Sequence, residues 1–313
     1  MENKNSRIPK KKKKWIKIVL FTLLFLFIGI GVYAYSVYTA LTDTIDTMHQ
    51  PIDREVSEKR VEQITLEQKE PFSILMLGVD EREGDRGRSD TMIILTVNPT
   101  LKSVKMLSIP RDTRTEIIGH GTEDKINHAY AFGGVEMSID SVENFLDIPI
   151  DYYLQVNMEG FKDIVDAVGG VTVNNDLDFT YEGVHFTKGQ LTLDGEKALK
   201  YSRMRYDDPR GDFGRQLRQR QIIQAVIKEG ASLSSLTNYK NIFGALGQNV
   251  KTNLSFNEMI DIQQHYKDAA RSMEQLTIKG QGTKIDRIYY LLVPDEEKSR
   301  IQDELKSHLE INE

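Results

Sequence analysis

From Ile18 to Tyr38 the chain runs for 21 residues without a charge, with Thr22 and Ser36 as the only small polar interruptions. At 1.5 Å per helical residue such a run spans roughly 30 Å, enough for one helix to cross a bilayer. Eight cations precede it (Lys4, Arg7, Lys10 to Lys14 and Lys17), and the next one after it is Arg54. That asymmetry predicts a cytoplasmic N-terminus and a large domain outside the membrane. Trp15 on one flank and Tyr33, Tyr35 and Tyr38 on the other stand where amphipathic rings favour the headgroup level. A cleaved signal peptide is the competing reading, because Ala34-Tyr35-Ser36 resembles a cleavage site. The apolar run exceeds the usual signal core of about 7 to 15 residues, which favours an anchor.

The formal charge of −6 conceals two regions. Beyond residue 40 there remain 33 cations against 46 acids, a balance of −13, which argues against general nucleic-acid binding. The sequence has no cysteine, so disulfides, zinc-thiolate sites and thiol nucleophiles are excluded together. An exported, cysteine-free domain points to a bacterial cell envelope, with a Gram-positive cell membrane as the expected setting. Four segments result: a basic cytoplasmic stretch 1–17, a transmembrane helix 18–38, a polar extracytoplasmic stalk 39–70, and a folded domain 71–313.

Within that domain Phe72 to Val79, Thr91 to Val97 and Val104 to Ile109 are short apolar runs, with Asn98-Pro99 marking a turn, and read as adjacent strands. Lys125 to Leu146 has helical spacing, Tyr152 to Val156 reads as a strand, and Phe161 to Val168 as a helix closed by Gly169-Gly170. A strand Val171 to Val173 follows, then an amphipathic helix Phe213 to Glu229 with Arg215, Gln219, Ile222 and Val226 along one stripe. Ser255 and Glu258 form a capping-box signal, Ile288 to Val293 predicts a strand, and Asp295 to Leu309 a last helix. The alternation predicts an α/β fold, a mixed sheet with helices on both sides.

Two constellations stand apart from core and surface. Asp80 ends one strand and Asp90 opens the next, so both carboxylates can meet at one sheet edge. Hard oxygen ligands of that kind suit Mg²⁺, which completes its shell with waters and substrate phosphates. A solvated acidic hairpin loop is the plainer alternative. The second constellation is Arg111, Tyr201-Ser202-Arg203-Met204-Arg205, Arg215, Arg218 and Gln219. Guanidinium forks match phosphate oxygens two at a time, and from Arg203 through Arg220 there are six arginines and no lysine. Asp207, Asp208 and Asp212 are placed to neutralise several of them, which leaves anion binding and a paired surface both open. Lys125, Asn127 and Tyr130 offer an ammonium and an amide at a helix start, or simply a polar first turn. The six histidines show no ligand spacing, and neither a nucleophile elbow nor a Walker loop is present.

Taken in order, Leu77 to Asp80, Arg88 to Met92, Ser108 to Thr113, Lys125 to Gly134, Val168 to Val173, Leu193 to Arg205 and Arg215 to Gln219 resemble the LytR-CpsA-Psr family of cell-envelope proteins. The matching stretches span about 140 residues behind one N-terminal span, and look closest to the wall-teichoic-acid branch. The resemblance implies an α-β-α sandwich, and transfer of a phosphate-linked anionic glycopolymer from a polyprenyl pyrophosphate carrier to peptidoglycan. It implies Asp80 and Asp90 as the metal-side carboxylates, with Mg²⁺ or another divalent cation as cofactor. Arg111, Arg203 and Arg215 would hold the pyrophosphate with Gln219 beside them, and Arg82, Arg88 and Arg205 are further candidates. Asp80 or Asp90 is then the available base, and Arg111, which would meet the leaving phosphates, joins them as a catalytic candidate. Ile74 to Leu77, Ile93 to Val97 and Ile222 to Val226 would either line a tunnel for the carrier tail or form plain core. A binding-only anchor and a pyrophosphatase using water as acceptor are the competing functions.

Overall fold

The computed structural model describes residues 10–54, 56–80, 87–230 and 238–311, and the chain divides into two units, Met1–Asp43 and Thr44–Glu313. In the first unit lies most of α1 (Lys10–Met48), a helix long and apolar enough to cross a membrane, with none of its apolar window buried. It extends past the uncharged run at both ends, and neither Lys10 to Lys17 nor Thr39 to Met48 contains a glycine or proline to break it.

The second unit is built on strands β1 (Phe72–Val79), β2 (Ser89–Asn98), β3 (Ser103–Ile109), β4 (Arg114–Ile117) and β5 (Thr122–Lys125), followed by helix α2 (His128–Leu146). Next come β6 (Tyr152–Asn157), α3 (Met158–Ala167), β7 (Val171–Asn175), the hairpin β8 (Phe179–Tyr181) and β9 (Val184–Phe186), β10 (Gly189–Leu193), α4 (Gly195–Arg203) and α5 (Asp212–Gly230). The chain then forms α6 (Tyr239–Asn249), β11 (Val250–Thr252), α7 (Phe256–His265), β12 (Met273–Thr277), the hairpin β13 (Gln281–Ile285) and β14 (Ile288–Leu292), and α8 (Asp295–Leu309).

Six strands form a mixed sheet in the order β11-β6-β1-β2-β3-β12. β1 runs parallel to β6 and β3 to β12, while β1, β2 and β3 form an antiparallel meander. Alternation sends Leu75, Leu77, Met92, Ile94, Leu107 and Ile109 to one face, where they pack with Val142 and Phe145 of α2 and Ile301 and Leu305 of α8. The opposite face meets α5, where Arg220 donates from Nη1 to Ser108 Oγ at 2.7 Å and from Nε to Gln275 Oε1 at 3.0 Å. A second core joins Val165 of α3, Val171 and Val173 of β7, Tyr201 of α4 and Ile222 of α5. Helices therefore cover both faces, as an α-β-α sandwich requires.

Two expectations change. The stalk gives way to folded structure at Thr44: Ile45, Met48 and Leu66 are buried, and Arg54 donates to both oxygens of Glu143 at 2.8 Å. Arg60 similarly grips Asp151 at 2.6 and 2.8 Å. These partners lie some ninety residues away in sequence, so local polarity concealed the docking. The helix expected from Lys125 begins at His128, because Lys125 pairs with Arg114 in a β-hairpin, and it is broken at Gly133-Gly134, where Gly134 has φ of 70°.

Candidate functional site

The site forms where β1, β2 and β3 reach one end of the sheet. Register pairs Gly78 with Thr91 and then Val79 with Ser89, so Asp90 is an extra residue, the bulge in β2. Without it Asp90 would stand opposite Val79, whose side chain is fully buried in the first core. The bulge puts Ser89 there instead and frees the Asp90 carboxylate for Arg111 at the end of β3, whose Nη1 donates to Asp90 Oδ1 at 2.8 Å. The site end needs close strands: a Cβ on Gly78 would lie 2.9 Å from the Thr91 Cβ. Asp80 stays on the same rim, its N–H donating to the Arg88 carbonyl at 3.3 Å.

The start of α5 brings Arg215 to the same place. Its Nη2 lies 2.8 Å from Asp212 Oδ1 and reaches the Asp90 carbonyl at 3.4 Å. Arg205, on the loop before α5, lies 3.7 Å from Asp212 and 3.9 Å from Asp112. Asp112 also receives Lys125 Nζ at 2.6 Å. Four cations thus surround three carboxylates. Burial lowers the affinity of the Arg215 guanidinium for its proton, and neighbouring Arg111 and Arg205 press the same way against Asp212 and Asp90. For Arg111 the burial penalty is outweighed by Asp90, and its affinity for the proton rises.

Hydrogen bonding here is incomplete. Among the described residues, the buried side-chain atoms without a partner belong to Ser89, Thr113, Asn127, Asp212 and Arg215. All five are members of the cluster or lie within two residues of one. Native interiors satisfy nearly all such groups, so unmet donors and acceptors gathered at one spot mark where a ligand completes the structure.

The structure assembles Asp90, Arg111, Arg205 and Arg215, sets Asp80 on the shared rim, and holds Gln219 buried one helical turn beyond Arg215. Arg88 is exposed and contributes its carbonyl. Arg203 ends α4 and acts electrostatically on the Tyr181 phenol; no ion pair joins it to the cluster among the described residues. Arg82 lies outside the described residues. Arg218 is not available to an anion, since Asp208 and two backbone carbonyls consume its guanidinium. Asp112 was not singled out by sequence reasoning, although it bridges Lys125 and Arg205; its position directly after Arg111 was the only signal.

A protein-family model for the LytR_cpsA_psr family matches residues 35–307. The chain belongs to the LytR-CpsA-Psr family. Among its relatives, the polyisoprenyl-teichoic acid–peptidoglycan teichoic acid transferase TagU of Bacillus mycoides is 54% identical over 301 residues, covering 96% of this chain and 99% of the relative. The crystal structure of Bacillus subtilis TagU superposes with a TM-score of 0.64 at 52% identity, over 78% of this chain and 99% of that one. A structure of the family member TagT with bound octaprenyl pyrophosphate lipid gives a TM-score of 0.67 at 30% identity, over 84% of this chain and 100% of that one.

The donors that this LytR-CpsA-Psr domain offers at the rim are carboxylate oxygens, Asp80 and Asp90. Among the described residues no three His, Cys, Asp or Glu side chains are grouped to hold an ion alone. Two carboxylates on a rim beside arginines suit a hard cation that keeps its waters and takes phosphate oxygens, as Mg²⁺ does. The tail-lining candidates divide: Leu75, Leu77 and Ile94 belong to the first core, Ile222 and Val226 to the second. On the α5-facing side of the sheet, Met76, Gly78, Leu154 and Val156 are only half-buried and remain apolar.

Proposed function

We propose that this chain is a membrane-anchored phosphotransferase that moves an anionic glycopolymer, wall teichoic acid, from a polyprenyl pyrophosphate carrier to peptidoglycan. α1 holds it in the cell membrane with the N-terminus in the cytoplasm and the domain outside. The observation that carries the reading is Arg215: 7% exposed, set among Arg111 and Arg205, with its Nε unpartnered. A buried cation with an unmet donor is costly alone and favourable once a pyrophosphate oxygen meets it.

The carrier's diphosphate lies against Arg111, Arg205 and Arg215, and its apolar tail follows the half-buried residues of β1 and β6. The acceptor hydroxyl oxygen bonds to the phosphorus that bears the polymer. The bridging P–O bond breaks, and polyprenyl phosphate departs with the electron pair. The hydroxyl proton passes to Asp80 or Asp90. Charge grows on the transferred group and the leaving oxygen, and prepositioned guanidinium groups stabilise it without reorganising. Asp80 and Asp90 would hold a divalent cation, which when bound supplies further positive charge to the phosphates.

The full-length protein, incubated with lipid-linked polymer, peptidoglycan and Mg²⁺, should release polyprenyl phosphate and leave polymer on the glycan. A chelator should stop both. Binding without release would make the protein an anchor, and release without polymer on the glycan a pyrophosphatase; either result overturns the reading.

A further inference from the structure

Each carboxylate of the cluster faces a cation, whereas a buried carboxamide oxygen beside it has no hydrogen-bond partner. Asp90, Asp112 and Asp212 each face an arginine or lysine within 4.0 Å. Asn127 is 4% exposed, and its Oδ1 has no hydrogen-bond partner. It precedes α2 at the position where asparagine ordinarily caps a helix, yet its side chain makes no capping bond. The backbone explains this: with φ of −70° and ψ of −13° Asn127 is already helical, whereas a capping residue is extended.

The same backbone fixes Asn127 beside the arginine cluster. Ile126 N–H donates to the Thr113 carbonyl at 2.8 Å and Asn127 N–H to the Arg111 carbonyl at 3.4 Å. Two residues earlier Lys125 sends its ammonium to Asp112. The segment is therefore zipped along residues 111–113, with Asn127 opposite Arg111. The hydroxyls of Ser89 and Thr113, also unpartnered, can rotate and act as donor or acceptor, but a carboxamide oxygen only accepts. It asks for a ligand that brings a donor. An ionised diphosphate has none; a sugar hydroxyl does.

We infer that Asn127 Oδ1 accepts the hydrogen bond of the acceptor sugar's hydroxyl and holds that oxygen towards the phosphorus under attack. The inference rests on the transferase reading. Asn127 takes up no proton: it orients the O–H, and the proton leaves to the carboxylate base as described above. A hydroxyl-bearing glycan is thereby distinguished from a bare apolar alcohol, because only a well-placed O–H satisfies the buried oxygen.

The test uses Asn127→Leu, close in volume and without the oxygen, in the full-length protein. Removing a buried acceptor that the free protein leaves unmet should not destabilise it, so thermal unfolding should occur at or above the wild-type temperature. Binding of octaprenyl pyrophosphate with Mg²⁺ should stay within about twofold of wild type. Transfer to peptidoglycan should fall about tenfold or more, with hydrolysis by water affected less. Asn127→Asp, which restores an accepting oxygen, should recover part of the transfer rate.

A lower unfolding temperature for Asn127→Leu would make the residue structural and overturn the inference. So would transfer within twofold of wild type, or loss of octaprenyl pyrophosphate binding, which would place Asn127 on the carrier side. If wild type itself transfers nothing, the transferase reading falls; if it transfers and Asn127→Leu does so equally, only the role of Asn127 falls.

Discussion

Two sets of arginines from one short stretch of sequence meet opposite fates. Arg218 is 1% exposed and spends its guanidinium within the protein: Nη1 on Asp208 at 2.6 Å, Nε on the Tyr201 carbonyl at 3.0 Å, and Nη2 on the Met204 carbonyl at 2.5 Å. The Phe179 ring lies 5.3 Å away beneath it. Asp208 is in turn gripped by Arg210, which reaches on to Asp176 at 2.6 Å. Three residues before Arg218, Arg215 is nearly as buried but keeps Nε unmet among other cations. The first set is a clamp that fixes the loop carrying Arg205; the second is a receptor for charge. What separates them is whether the protein itself completes the hydrogen bonds.

The sharpest break of this contrast is Arg218→Ala. It takes one of two arginines from the buried Asp208, leaves the Tyr201 and Met204 carbonyls unmet, and should cost roughly 3–5 kcal/mol of unfolding free energy, measured by chemical denaturation. A loss below about 1 kcal/mol would show that the clamp is not structural. Arg111→Ala should do the reverse, lowering transfer by roughly 10² to 10³-fold, about 3–4 kcal/mol of transition-state stabilisation, while the unfolding midpoint moves little. Matched losses of stability and activity in both variants would erase the distinction.

Acid titration separates the clamp from a second buried group. His308 is 2% exposed, between the hydroxyls of Thr96 and Ser103, and burial, with Lys105 adding to it, pulls it down to about 4 from 6.5. A depressed histidine keeps its full contribution above 6.5, and the unfolded chain binds the extra proton as pH falls from there to about 4. Stability should therefore decline through that window by up to about 3 kcal/mol, and His308→Gln should flatten the decline. Asp208 acts in the same direction but at lower pH: its arginines hold it far below the usual carboxylate range, so the clamp stays ionised through that window. The smallest expected effect is that of Gly214→Ala. A Cβ there would fall 1.9 Å from Asp208 Oδ2, so α5 must shift off the clamp. Roughly 1–3 kcal/mol of stability should be lost, with a modest fall in transfer because Arg215 sits on the next turn residue.

Much of the frame was legible because it depends on local pattern. The apolar run Phe72–Val79 and the helix Asp295–Leu309 match their elements end to end, and the Ser255–Glu258 capping box forms with both of its bonds. The docked stem was not legible, since Arg54 and Arg60 look like any polar linker until Glu143 and Asp151 are brought to them. The site was partly legible for the same reason. Asp90, Arg111 and Arg215 could be named from residue type, but Arg203 and Arg218 carry the same charge and the same spacing. Only tertiary contacts show that Arg218 is saturated and that Asp112 is a hub.

The single inserted residue in β2 has an implication for how this protein tolerates change. Side chains along a strand keep a two-beat phase, and the bulge at Asp90 resets that phase by one beat. Deleting one neighbour of Asp90 would leave the composition of the strand almost untouched, yet would turn the carboxylate inward against Val79. The reactive edge is thus protected less by which amino acids occupy it than by how many.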